Sequence, residues 1–373
     1  MNYGIGFVMC EFDDEKFWRK SSFSSDKKTL MDAKKIFHLL RNDFSVKMKA
    51  SGVTEARFIK KSGSIVFETS GTTGLPKKRV HNFENFQAAT RRLSLFLNSS
   101  SPIDTISCLP IHHIGGWMQV MRPWFTGGTV IFMHYRDFKT GFSKELTNRF
   151  VSLVPAQLHE LIGSSSACDN LRMCRGIFLG GAPCNYKLLE LARKEDLPIL
   201  SCYGMTETAG MITVLETEDF FKGRDGVGKQ MPQVSLQLDS NDCIMVKCQS
   251  IAAIIDKTTD VKGDWYNTAD VGQCNDEGYW KILCRMDGII NTGGEKVSPK
   301  YIESVINTYS KVKACSVTSK IDKKWGSKVV AYVSPENCDV NSLKEFLCQR
   351  LKKYEVPKEI FAVKKMPEIE KLK

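Results

Sequence analysis

No apolar run in the sequence approaches the roughly 18 to 20 residues that a membrane-spanning helix needs, so a helical membrane span is excluded. The opening stretch MNYGIGFVMCEFDDEKF has no basic segment ahead of its short apolar run, and Glu11, Asp13, Asp14 and Glu15 follow at once. Neither a secretory signal nor an acidic-poor transit peptide reads there, so the expected location is the cytoplasm, or a plastid stroma if the chain is organelle-encoded. There is no CxxC pair and there are only six histidines, too few and too scattered for a clustered metal site. Thirteen cysteines, an odd number, are expected to be reduced core thiols. No basic run interleaves with aromatics, which argues against a nucleic-acid partner. A Pro- or Ser-rich linker and internal repeats are also missing.

What is present is ordinary globular composition over 373 residues, with 42% apolar and 25% charged residues. That length exceeds one common core and suggests two or three domains. The net charge of +11 is unevenly spread, because residues 287–373 hold seventeen basic against eleven acidic side chains. A solvated lysine-rich surface and attraction of a small polyanion both account for the excess.

After a poorly patterned first sixty residues, SIVFET reads as a buried strand running into a glycine-rich loop, and helical periodicity resumes near NFENFQAATRRLSLFL. The short apolar runs DTISCLP, GGTVIFM, FVSLVP, RGIFLGG and LPILSCYG each end in Gly, Pro or a polar turn, with segments such as APCNYKLLELARKE between several of them. Strand, loop, helix repeated in this way predicts an α/β fold with mostly parallel sheets and ligands at the carboxyl ends of the strands. From about residue 222 to 284 the pattern turns β-rich. A domain boundary is expected at Arg285 to Gly288, dividing residues 1–286 from a small α+β domain, 287–373.

In FETSGTTGLPKKR, residues 67–79, Gly71 and Gly74 and the hydroxyls of Thr69, Ser70, Thr72 and Thr73 form a chain of small residues whose backbone N–H groups can face one anion, and Lys77 adds a point charge. A flexible surface loop is the alternative reading. It is not a Walker A loop, since Pro76 and Lys78 stand where that pattern needs Gly and Ser or Thr. Other candidates have plain readings beside the chemical ones. MTET around Thr206 and Glu207 can be a helix N-cap box, Tyr203 and His113 can be core residues, and Arg122 can lie on a helix surface.

TSGTTGLPK nevertheless resembles the signature of the adenylate-forming acyl-CoA synthetase superfamily, and further motifs follow in that family's order. YGMTETAG, GGAP, WYNTADVG and CRMDGIINTGGEKVSPKYIES are similar to its α-phosphate, adenine, ribose and hinge segments, over roughly residues 64–373. Within it, LPIHHIGGWMQVMRPWFTGG, SLVPAQLHELI and FLGGAPCNYKLLELARKEDLPILSCYGMTET are similar to the short o-succinylbenzoate–CoA ligases of menaquinone and phylloquinone synthesis.

The resemblance implies a two-step reaction using ATP, Mg²⁺ and coenzyme A, with small-molecule substrates only. In it, Thr69, Ser70, Gly71, Thr72, Thr73, Gly74 and Lys77 cradle the β- and γ-phosphates, Thr206 meets the α-phosphate and Glu207 holds magnesium. Gly181, Ala182, Tyr203 and Gly204 line the adenine and acyl region, while Asp270 and Arg285 grip the ribose. His113 gates the acid, and Arg122, as a guanidinium fork, suits the second carboxylate of o-succinylbenzoate. Asp287 is the hinge residue, and Gly293, Gly294 and Glu295 line the pantetheine path. Lys371 is the adenylation lysine, with Glu370 in the place of the usual glycine and Lys373 as a substitute charge. Ala269 and Cys284 replace glycines of the family pattern, which predicts a slightly rearranged ribose loop. Ligation of another aryl or medium-chain acid, and nucleotide binding without catalysis, are the alternatives.

Overall fold

A computed structural model describes residues 17–18, 26–41, 44–49, 52–58, 63–69, 77–140, 144–254, 261–262, 264–288, 290–292, 295–322 and 326–367. They divide into two compact units. The first draws on Met1–Pro183, Leu191–Ser235 and Lys247–Thr259, the second on Cys184–Glu190, Leu236–Val246 and Asp260–Lys373.

The poorly patterned start of the chain contains regular structure after all: helix α1 (Lys27–Arg41) and strands β1 (Phe44–Lys49) and β2 (Gly52–Phe58). These join β3 (Ser64–Thr69), β4 (Lys77–Asn82) and the two-residue β14 (Ala253–Ile254) in a sheet ordered β14-β4-β3-β1-β2. β4 is therefore an interior strand. Helix α2 (Phe83–Phe96) starts directly after it, because the Asn82 and Asn85 side chains each accept a hydrogen bond from the other's backbone N–H, at 3.0 and 3.1 Å. That reciprocal cap satisfies two of the donors a helix start leaves open.

The second sheet of this unit has the order β11-β10-β9-β8-β7-β5-β6. Its parallel core is β5 (Thr105–Ser107), β6 (Val130–Phe132), β7 (Phe150–Leu153), β8 (Gly176–Leu179) and β9 (Ile199–Met205), each one of the apolar runs noted in the sequence. β10 (Gly210–Leu215) and β11 (Lys229–Gln230) continue it antiparallel. Both faces of a parallel sheet must be covered, which is why these strands are continuously apolar rather than alternating. Helix α3 (Ile114–Thr126) is almost wholly buried, with Trp117, Val120 and Met121 fully enclosed beside Phe37, Phe67 and Phe86. It can pack so closely at its start because residue 116 is glycine, where a Cβ would sit 2.2 Å from the Pro110 carbonyl oxygen. Gly127, at φ +74°, then ends it in the left-handed region. Helices α4 (Pro155–Leu161), α5 (Ser165–Arg172) and α7 (Thr217–Phe221) fill connections of this sheet, and α6 (Tyr186–Lys194), which begins in the second unit, follows β8 in the sequence.

In the second unit, β12 (Val234–Leu238), β13 (Cys243–Cys248), β15 (Val261–Lys262), β16 (Trp265–Cys274) and β17 (Trp280–Arg285) form an antiparallel sheet, the β-rich texture expected. After the short pair β18 (Ile290–Thr292) and β19 (Glu295–Val297) come α8 (Pro299–Ile306), β20 (Ala314–Asp322), β21 (Gly326–Ser334), α9 (Val340–Cys348) and β22 (Glu359–Ala362). The two helices press Ile302, Ile306, Leu343 and Leu347 onto Val329, Ala331 and Val333 of the three-stranded sheet β20-β21-β22. Each of these isoleucine, leucine and valine side chains contributes about 1.5–3 kcal/mol when fully buried. All twelve described cysteines are free thiols. Among the described residues no helix is long and apolar enough to cross a membrane.

Candidate active site

The carboxyl end of β9 runs into a short 3₁₀ turn, Thr206–Thr208, and back along β10. The hairpin is close enough at its tip to require glycine, since a Cβ on Gly204 would lie 2.1 Å from the Gly210 carbonyl oxygen. Ala209 completes the turn at φ +52° and Gly210 follows at +102°. Tyr203, Gly204, Thr206 and Glu207 are all half-buried on this feature. The MTET segment is thus a tight strand-to-strand turn rather than a helix start.

Five residues from distant parts of the chain hold the turn. Arg79 and His81, two residues apart on β4, share its inward face. Arg79 Nε donates to Glu207 Oε1 at 2.7 Å, with the arginine side chain 1% and the glutamate side chain 13% exposed. His81 Nε2 lies 2.6 Å from the Thr206 carbonyl oxygen. Burial pushes the His81 ring down to about 4, so it is neutral and donates through Nε2–H. From α2, Arg92 donates to Ser250 Oγ at 3.0 Å and to the Thr208 carbonyl at 3.1 Å, and Ser250 Oγ donates to the same carbonyl at 2.7 Å. Ala252 N–H donates to the Glu207 carbonyl at 2.8 Å. The carbonyls of three successive turn residues are all engaged, while the second oxygen of the Glu207 carboxylate accepts from no other side chain among the described residues.

Sequence reasoning missed Arg79, His81, Arg92 and Ser250. The one signal available was the alternation around KKRVHN, in which Lys78 is exposed and Arg79 and His81 are buried, a period-2 pattern with the polar residues facing inward.

Arg122 is buried in α3 at 4% exposure, not displayed on a helix surface. Its guanidinium lies over the Phe178 ring, 5.2 Å from the centroid, and a Cβ on Gly210 would be 3.9 Å from its Nη2, so it sits against the same turn. Nη1 is enclosed and has no acceptor among the described residues. Burial lowers its pKa to about 10, which leaves it cationic at neutral pH. His113 stands at the N-cap of α3 without making a cap hydrogen bond, exposed, its ring 4.3 Å from that of His112. Gly181 at φ +79° and the exposed Ala182 lie in the turn after β8. The remaining first-unit expectation, the loop Ser70, Gly71, Thr72, Thr73 and Gly74 between Thr69 and Lys77, lies outside the described residues.

In the second unit, Asp270 and Arg285 are direct register partners on β16 and β17. Arg285 Nη1 donates to Asp270 Oδ1 at 3.2 Å and to the Thr268 carbonyl at 2.9 Å. The rearrangement expected from Ala269 does not take the form of a retreat to negative φ. Ala269 adopts φ +57°, the region where glycine is at ease, with its N–H donating to Asn267 Oδ1 at 2.8 Å and the next N–H to Thr268 Oγ1 at 3.1 Å. Cys284 is buried with Cys243 and Val271. Asp287 falls in the 3₁₀ turn Met286–Gly288 and Glu295 opens β19, exposed, whereas Gly293, Gly294, Glu370, Lys371 and Lys373 lie outside the described residues.

The turn, with a carboxylate tied by one oxygen, stands at the carboxyl end of a parallel strand, where α/β proteins place their ligands. Residues 26–246 match the AMP-binding enzyme family and residues 301–373 its AMP-binding enzyme C-terminal domain. The chain belongs to the AMP-binding enzyme family.

Among individual proteins it is similar to the 2-succinylbenzoate–CoA ligase of Listeria monocytogenes serotype 4b (strain F2365), at 30% identity over 329 residues, covering 86% of this chain and 70% of that one. The 2-succinylbenzoate–CoA ligase of Bacillus subtilis (strain 168) is 29% identical, covering 80% and 65%. Of solved structures, o-succinylbenzoate CoA synthetase from Bacillus subtilis with the acyl-adenylate intermediate OSB-AMP superposes at TM-score 0.70 with 26% identity, covering 82% of this chain and 66% of that one. The same enzyme with ATP and a magnesium ion gives 0.69, 26%, 82% and 67%. The chain spans about two thirds of the length of these relatives.

Proposed function

We propose that the chain is an ATP-dependent acid–thiol ligase that converts o-succinylbenzoate and coenzyme A to o-succinylbenzoyl-CoA through an acyl-adenylate, releasing AMP and pyrophosphate, in menaquinone or phylloquinone synthesis. The observation that carries this reading is the Glu207 carboxylate, one oxygen held by Arg79 and the other left to a ligand, on a turn pinned at successive carbonyls. A cytoplasmic location, or a plastid stroma for an organelle-encoded chain, goes with it.

Glu207 fits magnesium as one carboxylate that shares the ion with substrate phosphates. Among the described residues no group of three or more His, Cys, Asp or Glu side chains could hold a metal ion alone. When bound, the ion spreads the negative charge of the phosphates. The chain's own residues position and neutralise the rest, since both half-reactions concentrate negative charge and need fixed donors more than a nucleophile. Thr206 donates to the α-phosphate, and Thr69 to Lys77 cradle the departing pyrophosphate. Gly181, Ala182, Tyr203 and Gly204 take the adenine and acyl side, and Asp270 and Arg285 take the ribose hydroxyls. His113 guides the attacking carboxylate. Arg122 offers its guanidinium to the carboxylate that does not react, the role for which a buried cation lacking an acceptor at Nη1 is suited. Lys371 serves the first step and Gly293, Gly294 and Glu295 the second, with Asp287 as hinge between residues 1–286 and 287–373.

Ala269 bears on the reading of a nucleotide-binding protein without catalysis. Its left-handed backbone keeps the geometry a glycine would give, so the substitution supplies no reason for a lost ribose site. Pyrophosphate release is the test. Release that depends on o-succinylbenzoate, with AMP freed once coenzyme A is added, supports the proposal, release with benzoate or octanoate alone reassigns the substrate, and no release with any acid refutes the enzyme reading.

A further inference from the structure

Among the described residues of the first unit, the buried cationic side chains are three arginines, Arg79, Arg92 and Arg122. Glu207 neutralises the first. Arg92 is left with a hydroxyl and a carbonyl, those of Ser250 and Thr208, and Arg122 lies over the ring of Phe178. Nε of Arg92 and Nη1 of Arg122 are enclosed without an acceptor among the described residues. We propose that Arg92, without touching the acid, makes the acyl site selective for acids with a second carboxylate: its buried charge adds to that of Arg122 and draws the carboxylate that does not react to the Arg122 guanidinium. This rests on the reading of Arg122 as the partner of that carboxylate.

Both guanidiniums reach the turn at 205–210, one from α2 and one from α3. Arg92 Nη2 donates to the Thr208 carbonyl at 3.1 Å, and the Thr208 hydroxyl donates to the Gly210 carbonyl at 2.6 Å. Gly210 is the residue whose Cβ would stand 3.9 Å from Arg122 Nη2. The two charges act on each other. Burial is the main reason that the Arg122 pKa is lowered; the Cys202 thiol opposes the shift and the charge of Arg92 adds to it. Taking two like charges out of water without a counter-charge is costly, and an anion that arrives between the chain's own donors relieves that cost. Arg92 is pinned by its bonds to Ser250 and Thr208, so what it offers such an anion is its field, whereas Arg122 has Nη1 to give. Burial also keeps that field from being screened by salt. At an effective dielectric of about 20, a unit charge about 12 Å away still changes the affinity for an anion by about tenfold. An acid whose single carboxylate is spent on the α-phosphate gains nothing from it.

The test compares o-succinylbenzoate with 4-oxo-4-phenylbutanoate, the same acid without its ring carboxylate, as kcat/KM for pyrophosphate release by the full chain at saturating ATP. Any effect on the nucleotide is common to both acids and cancels in the ratio. The wild type should prefer the diacid by about a hundredfold, about tenfold from each arginine. Arg92→Gln should reduce the preference to about tenfold, through KM for the diacid rather than kcat, and Arg92→Lys, which keeps the charge, should hold it near the wild-type value. Arg122→Met leaves Arg92 in place and should retain a preference of about tenfold. A folded Arg92→Gln that keeps the full preference, however far its turnover falls, would leave Arg92 a structural brace and overturn the inference. So would a wild type that favours the diacid by less than about tenfold. Should no Arg92 variant fold, Arg122→Met decides: a residual preference supports the inference and its complete loss refutes it. Absence of release with either acid would instead remove the ligase reading, and the inference with it.

Discussion

Replacing Ala269 by glycine should stabilise the protein, against the usual direction of that change. Ala269 sits at φ +57°, where the clash of Cβ with the backbone costs an L-residue about 1–2 kcal/mol. Glycine removes that clash but loses more chain entropy on folding, a penalty of about 0.5–1 kcal/mol. The hydrogen bonds that shape the loop run from the backbone of residues 269 and 270 to Asn267 and Thr268, so they survive the change. The methyl group is only half-buried, so little packing is lost. The balance is a gain of about 0.5–1 kcal/mol. At an ordinary extended position only the entropy difference would operate, and the same substitution would destabilise by a similar amount. The sign therefore tests the geometry. Urea unfolding followed by circular dichroism should show a higher midpoint at unchanged slope, and Ala269→Val, which adds β-branching in the same region, should show a lower one. A glycine variant less stable than the parent at unchanged slope would refute the left-handed conformation of residue 269.

Gly204→Ala puts a Cβ 2.1 Å from the Gly210 oxygen and 2.6 Å from the Met211 Cα, so the hairpin must part, with a loss of about 3 kcal/mol or more and of ATP binding; a urea midpoint within about 0.5 kcal/mol of wild type would contradict this. His81 titrates at about 4 when folded against 6.5 when unfolded, so between those pH values only the unfolded chain binds its proton. Stability should rise with pH across that window by up to about 3 kcal/mol and gain nothing further from this group above it, a slope that His81→Gln should remove from a pH series of urea midpoints. Arg122→Met removes a desolvated charge with no acceptor at Nη1, so stability should hold or rise while turnover of o-succinylbenzoate falls by about tenfold or more. A destabilised Arg122→Met that keeps full turnover would make the arginine structural.

The parallel sheet was legible because each of its strands is a short apolar run closed by a turn residue, and β5 to β9 lie where those runs do. Asp270 and Arg285 were singled out through motif resemblance, whereas their pairing with each other comes from the register of β16 on β17. The brace under the turn at 205–210 was not. Arg79 is separated from Glu207 by 128 residues and His81 from Thr206 by 125, and KKRVHN has the composition of an exposed basic turn. Only the interior position of β4, itself fixed partly by the distant β14, turns Arg79 and His81 inward. Arg92 was hidden in the same way, since an arginine on an amphipathic helix is normally solvent-facing and its acceptors come from residues 208 and 250. The first sixty residues failed for a local reason. Strands β1 and β2, FSVKMK and GVTEARF, mix lysine, glutamate and arginine into short stretches and carry little alternation to read.

The brace also sets an order of events during folding. The turn at 205–210 takes its supports from residues 79–81, from residue 92 and from residues 250–252, three stretches that are far apart in the chain. Closing such long loops costs chain entropy that no contact within the turn repays, so the turn is held only after those stretches have met. A nascent chain that ends between Leu215 and Gln249 has β9 and β10 but lacks Ser250 and the Ala252 N–H, and with them half of the carbonyl restraints. The fixed geometry of this turn is therefore among the last properties this chain acquires, well after most of the surrounding sheet has been synthesised.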